Sequence, residues 1–121
     1  MLTLSAAVRI FLALQPIDLH LSFDRLAGLV RSRLGGDPLS GDLFVFFNKS
    51  RTNLKILLFD RSGFVIYYRR LERGSFQLPT APPDTSRLEV DPALLAMILE
   101  GIDLSAPRRI RFQLPSSKNP P

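Results

Sequence analysis

The chain of 121 residues contains no cysteine and a single histidine, His20. The missing thiols exclude disulfides, cysteine nucleophiles and cysteine-ligated zinc. One histidine alone also excludes a histidine-rich metal site. The absence of cysteine agrees with a reducing cytoplasm. We therefore expect a cytoplasmic protein that needs neither a metal ion nor a cofactor.

Long hydrophobic runs are missing as well. Residues 1–14 are mostly apolar, but no basic segment precedes them and Arg9 interrupts them. The unbroken run at 10–14 is shorter than the about 7–15 apolar residues of a secretory signal. No stretch approaches the about 18 apolar residues of a membrane span. The sequence thus predicts a protein with neither a secretion signal nor a membrane partner.

Catalytic motifs are absent too. No serine lies in a G-x-S-x-G elbow, and neither G-x-G-x-x-G nor G-x-x-x-x-G-K-[ST] occurs. His20 beside Asp18 could act as an oriented general base, but such a pair is more often structural. The carboxylates available to a two-metal nuclease fall mostly at helix starts and turns: Asp18, Asp24, Asp37, Asp42 and Asp60. We therefore predict that the protein is not an enzyme.

Positive charge is concentrated in two parts of the chain, whose net charge is +5. Residues 49–73 carry seven basic and two acidic side chains, and 108–121 carry four basic ones, whereas 74–107 is acidic. Most of the basic residues are arginines, whose planar guanidinium donates two hydrogen bonds at once to a phosphate. A basic cluster is often only a solvated face, but two clusters favour nucleic-acid binding. The predicted nucleic-acid-binding residues are Lys49, Arg51, Lys55, Arg69, Arg70, Arg73, Arg108, Arg109 and Arg111.

Hydrophobic spacing predicts two helices. Apolar residues at helical spacing follow Ser22, an expected N-cap, and end at two glycines, which predicts a helix at 22–34. Asp91 as N-cap and Pro92 at the first position predict a second helix at about 92–100. Residues of these helices and of the strands that they cover are expected to be largely buried: Phe23, Leu26, Val30, Ile56, Leu58, Ile66, Leu95 and Ile98.

Short β-rich runs separated by turn residues predict a sheet. The connections between residues 43 and 78 are so short that they force antiparallel neighbours, which defines a meander. At 60–63 we expect a four-residue hairpin turn with a left-handed glycine at its end. The predicted fold is therefore a single α+β domain over 1–112, an antiparallel meander sheet packed by two helices, followed by a disordered Pro-rich tail at 113–121. The predicted strands are 8–14, 43–48, 54–59, 64–71, 76–78, 87–90 and 110–114.

Aromatic residues accompany the first basic cluster. Eight of the eleven rings lie between residues 44 and 76. Such rings usually fill a core, but with arginines beside them they can also stack on the bases of a single strand. The segment Gly63-Phe64-Val65-Ile66-Tyr67 partly matches the octamer of RNA-binding sheets. The sequence leaves both uses open. Since side chains alternate along a strand, Arg69 and Arg70 are expected on opposite faces.

Ordered blocks of residues between 16 and 103 resemble a known family. The blocks are Pro16 with Asp18, Ser22-Phe23-Asp24 with Leu26-Ala27 and Leu29-Val30, Asp37-Pro38-Leu39-Ser40-Gly41, Leu43-Phe44-Val45-Phe46 with Asn48, Lys55-Ile56-Leu57-Leu58 with Asp60, Gly63-Phe64, Arg70-Leu71-Glu72-Arg73-Gly74 with Phe76 and Pro79, and 99–103. In this order they resemble the TnpB accessory protein of insertion-sequence-66 type bacterial mobile elements, the product of their second open reading frame. The chain departs from the family at two places. Residues 49–52 contain fewer arginines than the dense cluster that the family usually carries there, and Leu78 stands where the family usually has tryptophan.

The resemblance implies a role in DNA transposition, in which a separate, larger chain looks like the carrier of the catalytic carboxylates. This agrees with the absence of catalytic motifs here. The favoured hypothesis is a non-enzymatic accessory protein that binds DNA, the element's transposase, or both through an Arg-rich face. The alternative is a pure protein–protein adaptor without direct DNA contact, whose arginines pair with acidic patches on the transposase. An enzyme using His20 and Asp18 has the least support.

Overall fold

The computed structural model of the chain describes residues 8–101. The strand predicted at 110–114 and the tail predicted at 113–121 lie outside this range. The two helices and the mostly antiparallel sheet confirm the predicted α+β class. In chain order the elements are β1 (Ile10–Ala13), α1 (Phe23–Leu34), β2 (Leu43–Phe47), β3 (Asn53–Asp60), β4 (Gly63–Arg70), β5 (Arg87–Val90) and α2 (Pro92–Leu99).

The five strands form one open sheet in the order β4-β3-β2-β1-β5. The predicted meander is present as β2, β3 and β4, each antiparallel to the next. β1 lies between β2 and β5, parallel to the former and antiparallel to the latter. The parallel pair was not predicted. It arises because α1 connects β1 to β2 as a crossover, which returns the chain to the same end of the sheet.

Local sequence explains both helices. Ser22 takes the N-cap position of α1 in extended conformation, although its side chain makes no capping hydrogen bond. Gly35 ends α1 in the left-handed region at φ 62°. The Asp91 side chain caps α2 by accepting a hydrogen bond from the Leu94 N–H (2.8 Å), and Pro92 takes the first helical position. The predicted starts and stops of the helices are therefore confirmed.

Each face of the sheet has its own core. Side chains alternate along β1 and β2, so that Phe11 and Phe44 pack under α1 while Leu12 and Val45 pack under α2. All five residues of β2 are buried, because both of its faces are covered. Of the residues predicted to be buried, those confirmed are Leu26, Val30, Ile56, Leu95 and Ile98.

Three residues that were predicted to be largely buried are more exposed than expected, because they lie near the β4 edge of the sheet, where the helix layers end. Phe23 is 43% exposed rather than buried, and its ring stacks on Phe64 with centroids 6.5 Å apart. As the first residue of α1, it has little sheet beneath it. Leu58 and Ile66, on β3 and the edge strand β4, are only partly buried.

Two local predictions were wrong. Residues 76–78 form no strand: Phe76 packs edge-on against Phe47 (centroids 6.0 Å apart), and its N–H bonds the Arg51 carbonyl in a turn instead of a neighbouring strand. In the hairpin between β3 and β4, Asp60 pairs with Gly63. The predicted four-residue turn is therefore present, but Arg61 rather than Gly63 takes the left-handed conformation, at φ 60°.

Candidate nucleic-acid interface

The turn between β2 and β3 lies beside the segment that follows β4. The Leu71 N–H donates to the Thr52 carbonyl (2.8 Å), and the Phe76 N–H donates to the Arg51 carbonyl (2.6 Å). These bonds join residues 48–52 to residues 71–76 where β3 begins and β4 ends. We call this region the basic end of the sheet, after its exposed side chains: Lys49, Arg51, Arg70 and Arg73.

Asn48 organises the turn that carries Lys49 and Arg51. Its Oδ1 accepts hydrogen bonds from the N–H groups of Thr52 (2.9 Å) and Asn53 (3.1 Å). Its Nδ2 donates to the Thr52 hydroxyl (3.1 Å) and to Asn53 Oδ1 (3.3 Å). The turn is therefore braced by one side chain while Arg51 takes a positive φ of 57°.

Arg69 and Arg70 point to opposite faces of β4. Arg69 lies on the α2 side, where its Nη1 donates to the Tyr67 hydroxyl (3.1 Å). Arg70 lies on the α1 side and approaches Glu72 at 3.7 Å, with the two side chains 67% and 83% exposed. Surface ion pairs of this kind contribute little to stability. Arg70 is therefore held only loosely.

Lys55 is the third residue of β3, on the α1 side, and lies outside the basic end. Its Nζ donates to the Leu21 carbonyl (3.3 Å) and lies 5.6 Å from the centroid of the Tyr68 ring. Of the predicted binding residues within 8–101, the structure brings four together and leaves Lys55 and Arg69 outside that group. The second predicted cluster, Arg108, Arg109 and Arg111, lies outside the described residues.

A small cleft opens next to the basic end on the α1 side. It has a volume of about 240 Å³. Tyr68 is 54% exposed at its rim, although most of the aromatic residues of β2 and β3 are buried. Sequence reasoning left the role of the rings open, since strand alternation places Tyr67 and Tyr68 on opposite faces without showing which ring is exposed. The lining residues are Ile17, Asp18, Leu19, His20, Asn48, Asn53 and Tyr68.

Asp18 and His20 form a local pair at this cleft. Asp18 Oδ1 accepts from the His20 N–H (2.9 Å) and lies 2.7 Å from the ring Nδ1. The backbone hydrogen bond, followed by the contact with the ring, holds the pKa of Asp18 below its ordinary value. The His20 side chain is 97% exposed. The geometry is a two-residue turn interaction on the surface, and the imidazole is almost fully open to solvent.

Within residues 8–101, no three His, Asp or Glu side chains come close enough together to hold a metal ion. Neither described helix has the length and apolar character needed to cross a membrane.

Comparison with known proteins identifies the family. The model of the family described as IS66 Orf2 like protein matches residues 8–109. Uncharacterized protein y4hO of Sinorhizobium fredii is 36% identical over 101 residues, which cover 84% of this chain and 86% of that protein. Uncharacterized protein y4jC of the same organism is 32% identical over 112 residues, covering 93% and 94%. No solved structure matches the chain. The chain belongs to the IS66 Orf2-like family, whose members are accessory proteins of insertion-sequence transposition.

Proposed function

We propose that this protein is a non-enzymatic, cytoplasmic accessory of DNA transposition that binds DNA phosphates through the basic end of the sheet. One observation carries the proposal: hydrogen bonds between two separate segments gather four exposed basic side chains at one end of the sheet. Glu72 is the one acidic side chain within 48–52 and 70–76. The region is therefore strongly positive and open to an anionic partner.

The chemistry of the basic end suits a phosphate backbone. Three of its four cations are arginines, which can grip phosphate oxygens with paired donors. The weak contact between Arg70 and Glu72 leaves that guanidinium free to exchange a carboxylate for a phosphate. Contacts of this kind fix the position of a protein on DNA without reading its sequence. The proposal therefore predicts binding to many DNA sequences with similar affinity.

A matched pair of triple variants tests the proposal. Lys49, Arg51 and Arg73 are replaced together with Gln, and duplex binding is measured by fluorescence anisotropy. The expected loss is about 10- to 100-fold, since three exposed ionic contacts at roughly 0.5–1 kcal/mol each are removed.

The control replaces Arg25, Arg31 and Arg61, which are exposed elsewhere on the surface. It removes the same charge and also includes one arginine at positive φ, 60° at Arg61 against 57° at Arg51. The control should bind like the parent. Equal losses in the two triple variants would show that only net charge matters, and would overturn the proposal.

The second candidate function is a transposase adaptor without DNA contact. It is favoured by β4, whose outer edge has no strand partner among residues 8–101 and so offers backbone groups to a strand of another protein. Co-purification with the element's transposase, with and without DNA of the element ends, separates the candidates. If the Lys49, Arg51 and Arg73 variant binds DNA like the parent but loses the transposase, the basic end binds the transposase rather than DNA, as the adaptor function requires.

A further inference from the structure

Tyr68 is a large aromatic residue on the surface, where its ring contributes little buried apolar area to the stability of the fold. It is 54% exposed on the α1 face of the edge strand β4, while Phe44, Phe46 and Phe47 of β2 are buried. Its register partner across the strands is Lys55, and that of Arg70 is Asn53. Tyr68 and Arg70 are two residues apart on one face, about 6.6 Å along the strand. The ring therefore stands directly beside the basic end.

The ring is also held in place. The Asn53 Nδ2 donates to the Tyr68 hydroxyl at 2.5 Å. The Lys55 ammonium, itself bonded to the Leu21 carbonyl, lies 5.6 Å from the ring centroid. Both contacts restrict the rotation of the side chain before any ligand arrives, which lowers the entropy cost of binding to it.

The adjoining cleft is lined by a carboxylate and suits an uncharged ring better than a phosphate. Its volume of about 240 Å³ lies below the about 300–1,000 Å³ of sites for whole small molecules. The Asp18 carboxylate lines it and, with its pKa lowered by the hydrogen bonds from His20, stays negatively charged near neutral pH. This carboxylate disfavours a phosphate beside it, whereas an uncharged base is not repelled. The cations that would take the phosphates stand outside it, at the basic end.

We propose that Tyr68 stacks on an unpaired base of single-stranded DNA whose phosphates lie along the basic end, with Lys55 and Arg70 flanking that nucleotide. The inference rests on the proposed function and adds to it a preference for strands with unpaired bases over duplex DNA. A base inside a duplex is already stacked on both sides, so only a single strand or an opened duplex end can use the ring. Aromatic stacking of this kind tolerates any base sequence.

Two variants of Tyr68 and two oligonucleotides test the inference. Tyr68→Leu removes the ring, and Tyr68→Phe keeps it while losing the hydroxyl. The probes are a short thymidine oligonucleotide and the same strand with abasic sites, which retains the phosphates. Tyr68→Leu should bind the thymidine strand about tenfold more weakly or worse, whereas Tyr68→Phe should bind within about twofold of the parent.

The abasic strand supplies the decisive comparison. The parent should lose about as much affinity on the abasic strand as Tyr68→Leu loses on the intact one, and Tyr68→Leu should not distinguish the two strands. Thermal unfolding of each variant checks that the fold is intact. Duplex DNA should bind the parent and Tyr68→Leu equally.

Tyrosine emission provides an independent readout, since the chain has two tyrosines and no tryptophan. In a Tyr67→Phe background, Tyr68 is the single emitter, and the thymidine strand should quench it more than the abasic strand does. If Tyr68→Leu binds the thymidine strand like the parent while the Lys49, Arg51 and Arg73 variant binds no DNA, the stacking inference fails and the proposed function stands. If the parent binds neither duplex nor single strand, both fail.

Discussion

Replacing Asn48 with Ala should destabilise the fold through the turn that forms part of the basic end. The Asn48 Oδ1 accepts from the N–H groups of Thr52 (2.9 Å) and Asn53 (3.1 Å), and all three residues are partly buried. A hydrogen bond contributes about 1 kcal/mol net, and a buried donor left unpaired costs more. We therefore expect a loss of about 2 kcal/mol or slightly more in the free energy of unfolding.

Urea titration and thermal unfolding, both followed by circular dichroism, measure this loss. At roughly 4 °C per kcal/mol for a domain of this size, the Tm should fall by about 8 °C. Asn48→Asp keeps the accepting oxygen and loses the donated bonds to Thr52 and Asn53, so its stability should lie between those of the parent and Asn48→Ala.

Ser50→Ala is the matched control on the same turn. Ser50 is exposed and its hydroxyl bonds the Thr52 hydroxyl at 2.9 Å, so its loss should change stability by less than about 0.5 kcal/mol. Asn48→Ala should also weaken DNA binding, because Lys49 and Arg51 lose their fixed presentation. An Asn48→Ala variant as stable as Ser50→Ala would refute the bracing of the turn by this side chain.

Two further predictions concern the packing of α1 and the ion pair between Arg9 and Glu89 at the β5 edge of the sheet. Gly28→Ala should stabilise the protein by up to about 1 kcal/mol, since nothing lies within 4 Å of the added Cβ; Gly36→Ala should destabilise it by about 1–3 kcal/mol, because its Cβ would lie 3.0 Å from the Phe44 ring. If urea denaturation shows that both variants change the free energy of unfolding in the same direction, this prediction is wrong. The hydrogen bond from Arg9 lowers the pKa of Glu89, so the stabilisation by the ionised carboxyl is present above the unfolded value of about 4.3 and is lost as the pH falls through the lower folded value. The Tm advantage of the parent over Glu89→Gln should therefore be visible at neutral pH and vanish at strongly acidic pH, and a pH-independent difference would rule this out.

Local signals in the sequence predicted the helices and strands more reliably than they predicted which strands pair. The Asp91-Pro92 start of α2 and the left-handed glycine after α1 depend on neighbouring residues alone, so a short stretch of sequence is sufficient to predict them. The parallel pairing of β1 with β2 depends on how α1 crosses the sheet, and no pattern within either strand encodes it. Phe76 looked like a strand residue because it is apolar, but a strand needs a free edge to pair with, and its backbone is engaged by a turn.

In the candidate site, too, some features were predictable from the sequence and others were not. The closeness of the turns at 48–52 and 71–76 was predictable, since alternate turns of a meander lie at the same end of its sheet. The opposite orientations of Arg69 and Arg70 were predictable from strand alternation. The exposure of Tyr68 was not, because it depends on where α1 stops covering β4. The bracing by Asn48 was not either, since it requires the three-dimensional path of the turn.

The salt dependence of duplex binding tests phosphate contact at the basic end with the fewest intermediate assumptions. Each phosphate contact contributes about 0.9 to the slope of log affinity against log salt concentration. Replacing Lys49, Arg51 and Arg73 with Gln should therefore reduce the steepness of that slope by about 2.7, while the control at Arg25, Arg31 and Arg61 leaves it unchanged. A basic-end variant with the slope of the parent would show that these side chains do not touch DNA.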